Sequence, residues 1–331
     1  MQKSWIRGAV VSMLLGTDGG SVAANTSAPL PAGMPLEAFV AHLEHNRAQT
    51  PDGSMSWRTG EEIRLRDIGI AGHATRARNC LGDALRVFAR GFPTVQSNSN
   101  VCVDVTNDEV HVSYRVLDPR IWPRRADAEL TLGLIHGICS RYGVTRDAFI
   151  DLSFEHEADS AMRMLAHHLG LTPRFGADTN RIILPASALW NTRRDPAHDD
   201  DVAAYAKRLD HALVELRNTT PVSQRVCELI LTGMDRGMVS QATVAGEMGM
   251  SERSLRRALA QEGQPFHDLL GECRRSVGLA QLVRSRRQFS EIALSLGYSD
   301  QTAFSRAFSR WYGMSPRELR KMGSEALKVI T

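Results

Sequence analysis

The sequence predicts an α+β amino-terminal domain followed by an all-α carboxy-terminal domain with two helix-turn-helix units. Strand-like alternation of apolar and polar residues occurs between residues 101 and 184 and does not return after Pro221. Beyond Pro221, a helix, a glycine turn and a second helix occur twice, about fifty residues apart. A chain of 331 residues is long enough for two domains that each bury a core.

The amino-terminal domain begins with a segment over residues 17–35 that is rich in Gly, Ser, Pro and Thr. Apolar residues then recur at helical spacing in several places. In the first of them, Leu36, Val40 and Leu43 share one helix face. We expect helices over residues 36–47, 80–89, 126–141, 158–169 and 199–216.

A β-hairpin is predicted in the middle of this domain. Alternation runs from Val101 to Val105, the turn formers Asn107 and Asp108 follow, and alternation resumes from Val110 to Tyr114. Two shorter strands are predicted over residues 148–154 and 181–184.

A domain boundary is predicted just before Pro221, because proline disfavours helix in the residue that precedes it. The predicted division is an extension over residues 1–20, a domain over 21–216, a linker over 217–222, a second domain over 223–322 and a tail over 323–331.

The net charge of +3 is unevenly distributed along the chain. From Val222 onward there are 16 Lys and Arg against 11 Asp and Glu, a balance of +5, which leaves −2 for the rest. Arginine dominates, since only four residues are lysine. A GC-rich genome would explain this preference, and so would guanidinium groups that bind phosphate and guanine.

The cysteines and the apolar runs favour a cytoplasmic protein that does not associate with a membrane. The five cysteines are odd in number and scattered, as is typical of reduced thiols, and no apolar run reaches the ~18 residues that span a bilayer. Lys3 and Arg7 precede an apolar stretch over residues 9–15, as in a signal peptide, but that stretch is short and interrupted by Ser12.

The first helix-turn-helix unit is predicted over residues 241–260. An apolar helix face precedes Gly249, which permits a sharp turn, and Ser251 is placed to cap the next helix. If Leu255 and Leu259 are buried, the arginines of this helix must lie on its exposed side, where they can bind guanine or phosphate. These are Arg253, Arg256 and Arg257.

The second unit is predicted over residues 289–311, with Gly297 at the turn and Phe304 and Phe308 on the packing face. Amide, hydroxyl and guanidinium groups on the exposed side can bind base edges, and a methyl group can contact thymine. The exposed residues are Gln301, Thr302, Ala303, Ser305 and Arg306.

Further basic residues accompany and follow the second predicted reading helix. We expect them to bind phosphates, which position a protein on DNA without specifying the sequence. They are Arg310, Arg317, Arg320 and Lys321.

Three stretches of the second unit resemble the signature of the AraC/XylS family of transcription regulators. They are the residues from Ile292 to Asp300, those from Phe304 to Arg310, and the run from Tyr312 to Pro316 followed by Arg320. The resemblance, which covers residues 222–322, implies that a linker helix over residues 266–283 joins the two units and places both reading helices in successive major grooves.

The same resemblance assigns the family's base-reading positions, and it exposes one departure. Gly278 stands where the linker helix of the family usually has alanine, which costs roughly 1 kcal/mol of helix propensity. Close packing of helices would explain the glycine. The base-reading positions implied are Arg253, Arg256 and Arg257 in the first unit and Gln301, Thr302, Ala303, Ser305 and Arg306 in the second.

The amino-terminal domain resembles the arabinose-binding-like sensor domain of one branch of this family. Residues 151–156, 170–175 and 180–185 carry this second resemblance, which implies effector binding around residues 20–200 and leaves dimerisation open. We therefore expect an effector-responsive activator of a metabolic or adaptive operon. Its expected partners are double-stranded promoter DNA, RNA polymerase, an unidentified small-molecule effector and a second copy of the chain.

Two alternative functions are a DNA-bound protein with a catalytic amino-terminal domain and a nonspecific architectural protein. An enzyme would need a catalytic arrangement, but Glu157 directly follows His156, unlike the His-x-Glu of zinc deaminases, and the adjacent His167 and His168 point about 100° apart on a helix. We expect no catalytic residue, cofactor or metal. A nonspecific architectural protein would bind any DNA with similar affinity.

The aromatic residues are expected to lie in the cores of the two domains. Phe304, Phe308, Trp311 and Tyr312 have the helical spacing of core residues rather than of base-stacking platforms. For Trp122 and Trp190, core packing is favoured over a role in lining a pocket.

Overall fold

The change of sequence pattern near Pro221 corresponds to a division of the chain into two units. One unit spans Gln2–Asn218 and the other contains Thr219–Thr331. The computed structural model describes residues 5–6, 33–50, 52–159, 162–193, 202–234, 239–285 and 287–322. The apolar stretch over residues 9–15 and the predicted tail lie outside these ranges, as do most of the predicted extension and of the segment over residues 17–35.

Helices of the amino-terminal unit form where apolar residues recur at helical spacing, and most of the predictions are confirmed. The helix predicted over residues 158–169 is shorter than predicted. Residues 158 and 159 are not helical, and the helix begins at Met162. The helices are α1 (Leu36–Gln49), α2 (Met55–Glu62), α3 (Ile70–Arg76), α4 (Leu81–Gly91), α5 (Arg125–Arg141), α6 (Met162–Leu169) and α7 (Val202–Thr219).

Helix α2 was not predicted, because it is short and its apolar residues form no clear stripe. Its position depends on close contact with α5. A Cβ atom on Gly60 would lie 2.1 Å from the carbonyl oxygen of Leu130, and one on Gly133 would lie 2.2 Å from that of Trp57. These two glycines let the helix backbones approach, and this approach buries Trp57.

The strands form two antiparallel sheets. The predicted hairpin is confirmed, with Val101 opposite Tyr114, but the strand predicted over residues 148–154 has only three residues, and a 3₁₀ turn at Arg146–Ala148 precedes it. The strands are β1 (Trp5–Ile6), β2 (Met34–Pro35), β3 (Ser99–Val105), β4 (Glu109–Val116), β5 (Asp151–Ser153) and β6 (Asn180–Pro185). The four-stranded sheet has the order β3-β4-β6-β5, and β1 pairs with β2.

The core between this sheet and α5 includes charged groups. Tyr114 on β4 donates its hydroxyl hydrogen to Asp127 at 2.5 Å. Burial raises the pKa of Asp127 to about 7, although this bond and the positive charge of Arg124 oppose the rise. Arg124 in turn binds Glu155 with two nitrogens, at 2.5 and 2.9 Å. The polar network thus joins β4, α5 and the segment after β5.

The tryptophan prediction is wrong for Trp190, whose side chain is 81 % exposed. Its neighbour Ala188 is buried instead, because the 3₁₀ turn over Ala186–Trp190 directs the tryptophan outward. Trp122 is half-buried, and the guanidinium carbon of Arg124 lies 5.8 Å from the centre of its ring.

Helices are the only regular secondary structure among the described residues of the carboxy-terminal unit, which has one hydrophobic core that includes Leu255, Leu282 and Phe304. The linker helix implied by the resemblance is confirmed, whereas the first and last helices of the unit were not predicted. The helices are α8 (Val222–Met234), α9 (Gln241–Glu247), α10 (Glu252–Gln261), α11 (Phe266–Arg284), α12 (Phe289–Ser295), α13 (Gln301–Tyr312) and α14 (Pro316–Met322). No helix within the described ranges is long and apolar enough to cross a membrane.

Candidate nucleic-acid interface

The two helix-turn-helix turns use the same backbone geometry. Gly249 has a φ of +66° and Gly297 a φ of +75°, a region that L side chains rarely adopt. In each turn, the residue after the glycine donates its N–H to the carbonyl oxygen five residues earlier, at 2.9 Å. This hydrogen bond ends α9 and α12 in the same way and sets the direction in which the next helix leaves.

Each following helix is capped by the residue that precedes it. Ser251 accepts a hydrogen bond from the Ser254 N–H at 3.1 Å, and Asp300 accepts one from the Ala303 N–H at 2.8 Å. Asp300 lies three residues after its turn glycine, whereas Ser251 lies two residues after its own. Counted from the glycine to the capping residue, the second turn is therefore longer by one residue. This difference was not predicted.

Burial on one side of α10 and α13 determines which side chains remain exposed. Leu255 and Leu259 are 0 and 1 % exposed, and Phe304 and Phe308 are fully buried, as predicted. On the other side, Ala303 and Ser305 are half-buried and the remaining predicted contact residues are exposed. The exposed residues are Arg253, Arg256, Arg257, Gln301, Thr302, Arg306 and Arg310.

Counted from the first residue of each helix, α10 and α13 place side chains at equivalent positions. The first helix has arginine at its second, fifth and sixth residues, whereas the second has a threonine, a serine and an arginine there. The pairs are Arg253 and Thr302, Arg256 and Ser305, and Arg257 and Arg306.

An arginine of the linker helix holds the second turn in place. Arg274 donates hydrogen bonds to the carbonyl oxygens of Leu296 at 2.8 Å and Gly297 at 3.2 Å, and its guanidinium carbon lies 5.0 Å from the ring centre of Tyr298. Sequence reasoning missed this residue, because its partners are backbone carbonyls more than twenty positions away and leave no pattern.

Gly278 is explained by close packing between α11 and the second unit. A Cβ atom at this position would lie 3.2 Å from a methyl group of Leu296 and 3.4 Å from the ring of Phe304. The departure from alanine therefore coincides with the place where the linker helix contacts the core of the second unit.

Arg320, which was predicted to bind phosphate, is half-buried and packs against other residues of this unit. Its guanidinium carbon lies 4.2 Å from the ring centre of Phe289, and its Nε donates to the carbonyl oxygen of Leu282 at 3.4 Å. Burial lowers its pKa, and one terminal nitrogen is inaccessible. By contrast, Arg310, Arg317 and Lys321 are exposed.

A carboxylate after α10 caps α8. Glu262 accepts hydrogen bonds from the N–H groups of Val222 at 2.8 Å and Ser223 at 2.9 Å. Burial alone would raise the pKa of Glu262, but these bonds outweigh it and lower the pKa. This link fixes the start of α8 to the end of α10.

The amino-terminal unit contains a small cavity of about 10 Å³ next to a histidine-carboxylate cluster. Glu61 accepts hydrogen bonds from Trp57 and His168, both at 2.8 Å, and His136 Nδ1 lies 2.7 Å from it. His168 on α6 therefore contacts a carboxylate of α2. The cavity is lined by Trp57, His136, Arg146, Phe149, Leu152, Leu169, Leu171 and Ile182.

Comparison with protein families identifies both units. Residues 23–191 match the amino-terminal arabinose-binding domain of AraC transcription regulators, and residues 244–322 match a helix-turn-helix domain. The chain belongs to the AraC family of transcription regulators. This AraC-family protein is a DNA-binding transcription regulator, and the resemblance predicted from the sequence is confirmed in both domains.

Relatives of this AraC-family regulator include proteins similar to it over most of its length. It is 28 % identical to the HTH-type transcriptional regulator VirS of Mycobacterium tuberculosis over 295 residues, 88 % of this chain and 85 % of VirS. It is 30 % identical to the regulator VqsM of Pseudomonas aeruginosa over 175 residues, 53 % of this chain and 48 % of VqsM. The crystal structure of the regulator CdpR of Pseudomonas aeruginosa matches with a TM-score of 0.41 and 25 % identity, over 87 % of this chain and 92 % of that one.

Proposed function

We propose that this regulator binds a specific promoter sequence through α10 and α13, and that a small molecule bound by the amino-terminal unit controls its DNA binding or its contact with RNA polymerase. The observation that carries the proposal is the pair of capped helices with equivalent exposed faces on one core. The proposed base-reading residues are Arg253, Arg256, Arg257, Gln301, Thr302, Ala303, Ser305 and Arg306.

The two exposed faces differ in chemistry, and this difference supports a site with two unlike halves. Three guanidinium groups on α10 favour guanine, whose O6 and N7 accept two hydrogen bonds from arginine. The amide and hydroxyl groups on α13 suit a more mixed sequence. The exposed Arg310, Arg317 and Lys321 are proposed to bind phosphates.

Effector control is supported by the match of residues 23–191 to an arabinose-binding domain. A ligand can change DNA binding or polymerase contact only if it favours one conformation or assembly over another. We propose that the protein acts in the cytoplasm as an activator of a metabolic or adaptive operon, through RNA polymerase and as a homodimer, and that it regulates rather than catalyses. The proposed division is an effector domain over residues 21–216, a linker over 217–222 and a DNA-binding domain over 223–322.

Fluorescence anisotropy tests the DNA-binding proposal. The probes are fragments from upstream of the protein's own gene and its neighbours, measured at fixed, near-physiological salt with random DNA as competitor. We expect one fragment to bind about a thousandfold more tightly than random DNA, and Arg306→Ala to lose about 1–3 kcal/mol of that binding.

Arg163→Ala is the matched control, because Arg163 is exposed on α6 in the other unit and its loss should leave DNA affinity unchanged. Equal affinity for all fragments, with or without Arg306, would favour the architectural function instead.

A further inference from the structure

The first residue of each reading helix is exposed, and the two residues differ in charge. Glu252 begins α10 and Gln301 begins α13. Gln301 is among the proposed base-reading residues, whereas sequence reasoning missed Glu252. In helix-turn-helix proteins the amino-terminal residues of the recognition helix contact base edges. The first unit therefore offers a carboxylate at the position where the second unit offers an amide.

The carboxylate of Glu252 has no partner within the described ranges. It forms neither a hydrogen bond nor an ion pair there, although Arg256 lies four residues further along the same helix, at a spacing that favours an ion pair. The cap of α10 is provided by Ser251, whose hydroxyl oxygen accepts the Ser254 N–H at 3.1 Å. The carboxylate is therefore not needed to satisfy the first N–H groups of the helix.

Two other carboxylates of this unit show the contrast, because each is engaged by its own helix. Asp300, just before the other reading helix, accepts a hydrogen bond from the Ala303 N–H at 2.8 Å. Glu318 on α14 accepts one from the Ser315 N–H at 2.7 Å. These acids stabilise helix ends, whereas the carboxylate of Glu252 remains available to a group outside the protein.

The chemistry of DNA restricts what such a carboxylate can bind. The phosphates, the O6 and N7 atoms of guanine and the O4 atom of thymine all repel it, whereas the N4 amino group of cytosine donates a hydrogen bond to it. Adenine also has an amino group, but the N7 acceptor beside that group repels a carboxylate. Cytosine is therefore the base that a glutamate selects in the major groove.

We propose that Glu252 determines specificity in the first half of the binding site by accepting a hydrogen bond from the N4 amino group of a cytosine. This inference rests on the proposed function and adds one base to it. Residues four apart on a helix have Cβ atoms about 5–6 Å apart, and successive base pairs are about 3.4 Å apart. We therefore place this cytosine within one base-pair step of the guanine expected for Arg256.

Site selection from a randomised DNA library tests the role of Glu252 in the full-length chain. We expect the sites selected by wild type and by Glu252→Gln to differ at one base pair, with cytosine in the first and adenine in the second, because glutamine bonds to both N6 and N7 of adenine. Fluorescence anisotropy then compares four fragments that differ only at that base pair. Wild type should prefer cytosine about tenfold or more, and Glu252→Ala should show no preference above about twofold.

Glu247→Gln is the matched control, because Glu247 is exposed on α9 of the same unit and its replacement removes the same charge. This variant should select the same site as wild type. If Glu252→Gln changed the affinity for all four fragments equally, or selected the wild-type site, the inference would be overturned and the proposed function would stand. A wild-type protein that selects no site would contradict the proposed function and this inference with it.

Discussion

Glu61 shows how one carboxylate joins distant parts of the amino-terminal unit. It lies on α2, and its partners His136 and His168 lie on α5 and α6. Burial alone would raise the pKa of Glu61, but hydrogen bonds from the two histidines and from Trp57 outweigh it and lower the pKa to about 2. The three helices are thereby held at one edge of the cavity, and the carboxylate stays charged over the physiological range.

Replacement of Glu61 should change how stability depends on pH. A lowered pKa in the folded state stabilises the fold above the unfolded value of 4.5, and this contribution is lost as the pH falls towards 2. We expect Glu61→Gln to lower the free energy of unfolding at pH 7 by about 1–2 kcal/mol, a figure reduced to allow for partial exposure, and to be much less destabilising near pH 3.

Urea unfolding at a series of pH values measures this effect. Glu62→Gln is the matched control, since Glu62 is an exposed neighbour on the same helix. A destabilisation by Glu61→Gln that is the same at pH 3 and pH 7 would contradict the electrostatic explanation.

At the scale of elements, the two helix-turn-helix units share their turn geometry but differ in their support. Gly249 has no atom within 4 Å of the position of a Cβ, whereas at Gly297 the Arg274 guanidinium lies 3.0 Å from that position. The second turn is thus built against the linker helix, and the first is open to solvent on that side. A side chain at Gly249 would therefore cause backbone strain alone, whereas one at Gly297 would also disturb the contact with Arg274.

Alanine at each turn glycine should distinguish the two effects. We expect Gly249→Ala to cost about 1–2 kcal/mol, the strain of a side chain at positive φ. Gly297→Ala should cost roughly 1 kcal/mol more, because the new methyl group displaces Arg274 from its carbonyl partners. Urea unfolding of the full-length protein measures both values.

The combination Gly297→Ala with Arg274→Ala provides the control for this pair. Once Arg274 is absent, Gly297→Ala should cost no more than Gly249→Ala. An unchanged difference between the two turns in that background would show that Arg274 is not its cause.

At the scale of the whole DNA-binding unit, one core joins both helix-turn-helix units. Leu282 of the linker helix belongs to this core, as do Leu255 of α10 and Phe304 of α13. Gly278 tightens the contact between α11 and the second unit. The two reading helices are therefore expected to keep a fixed spacing and to require the same spacing in DNA.

Insertions between the two halves of the binding site test this spacing. Because one helical turn of DNA is about 10.5 base pairs, an insertion of about 5 base pairs moves the second half to the opposite face. We expect such an insertion to reduce the affinity of the preferred fragment by at least 100-fold, towards that for random DNA. A substitution of about 5 base pairs placed outside both halves preserves their spacing and should have little effect. Unchanged binding after the insertion would mean that only one helix reads bases.

Much of the architecture was predictable from local patterns. The hairpin, most of the long helices and the two turn glycines depend on alternation, helical periodicity and backbone freedom within short stretches. Most of the exposed positions on α10 and α13 were also predictable, because burial of Leu255 and Phe304 determines the opposite face, although Ala303 and Ser305 are half-buried. The proposed DNA contacts at those positions remain predictions.

Tertiary structure decided the features whose partners lie far apart in the chain. Sequence patterns predicted the family, the two kinds of domain and the faces of the reading helices, because each depends on residues close together along the chain. Only the folded chain placed Trp57 under α5 and set the guanidinium of Arg320 against the ring of Phe289. Such contacts depend on which helices pack together, and local periodicity does not encode that choice.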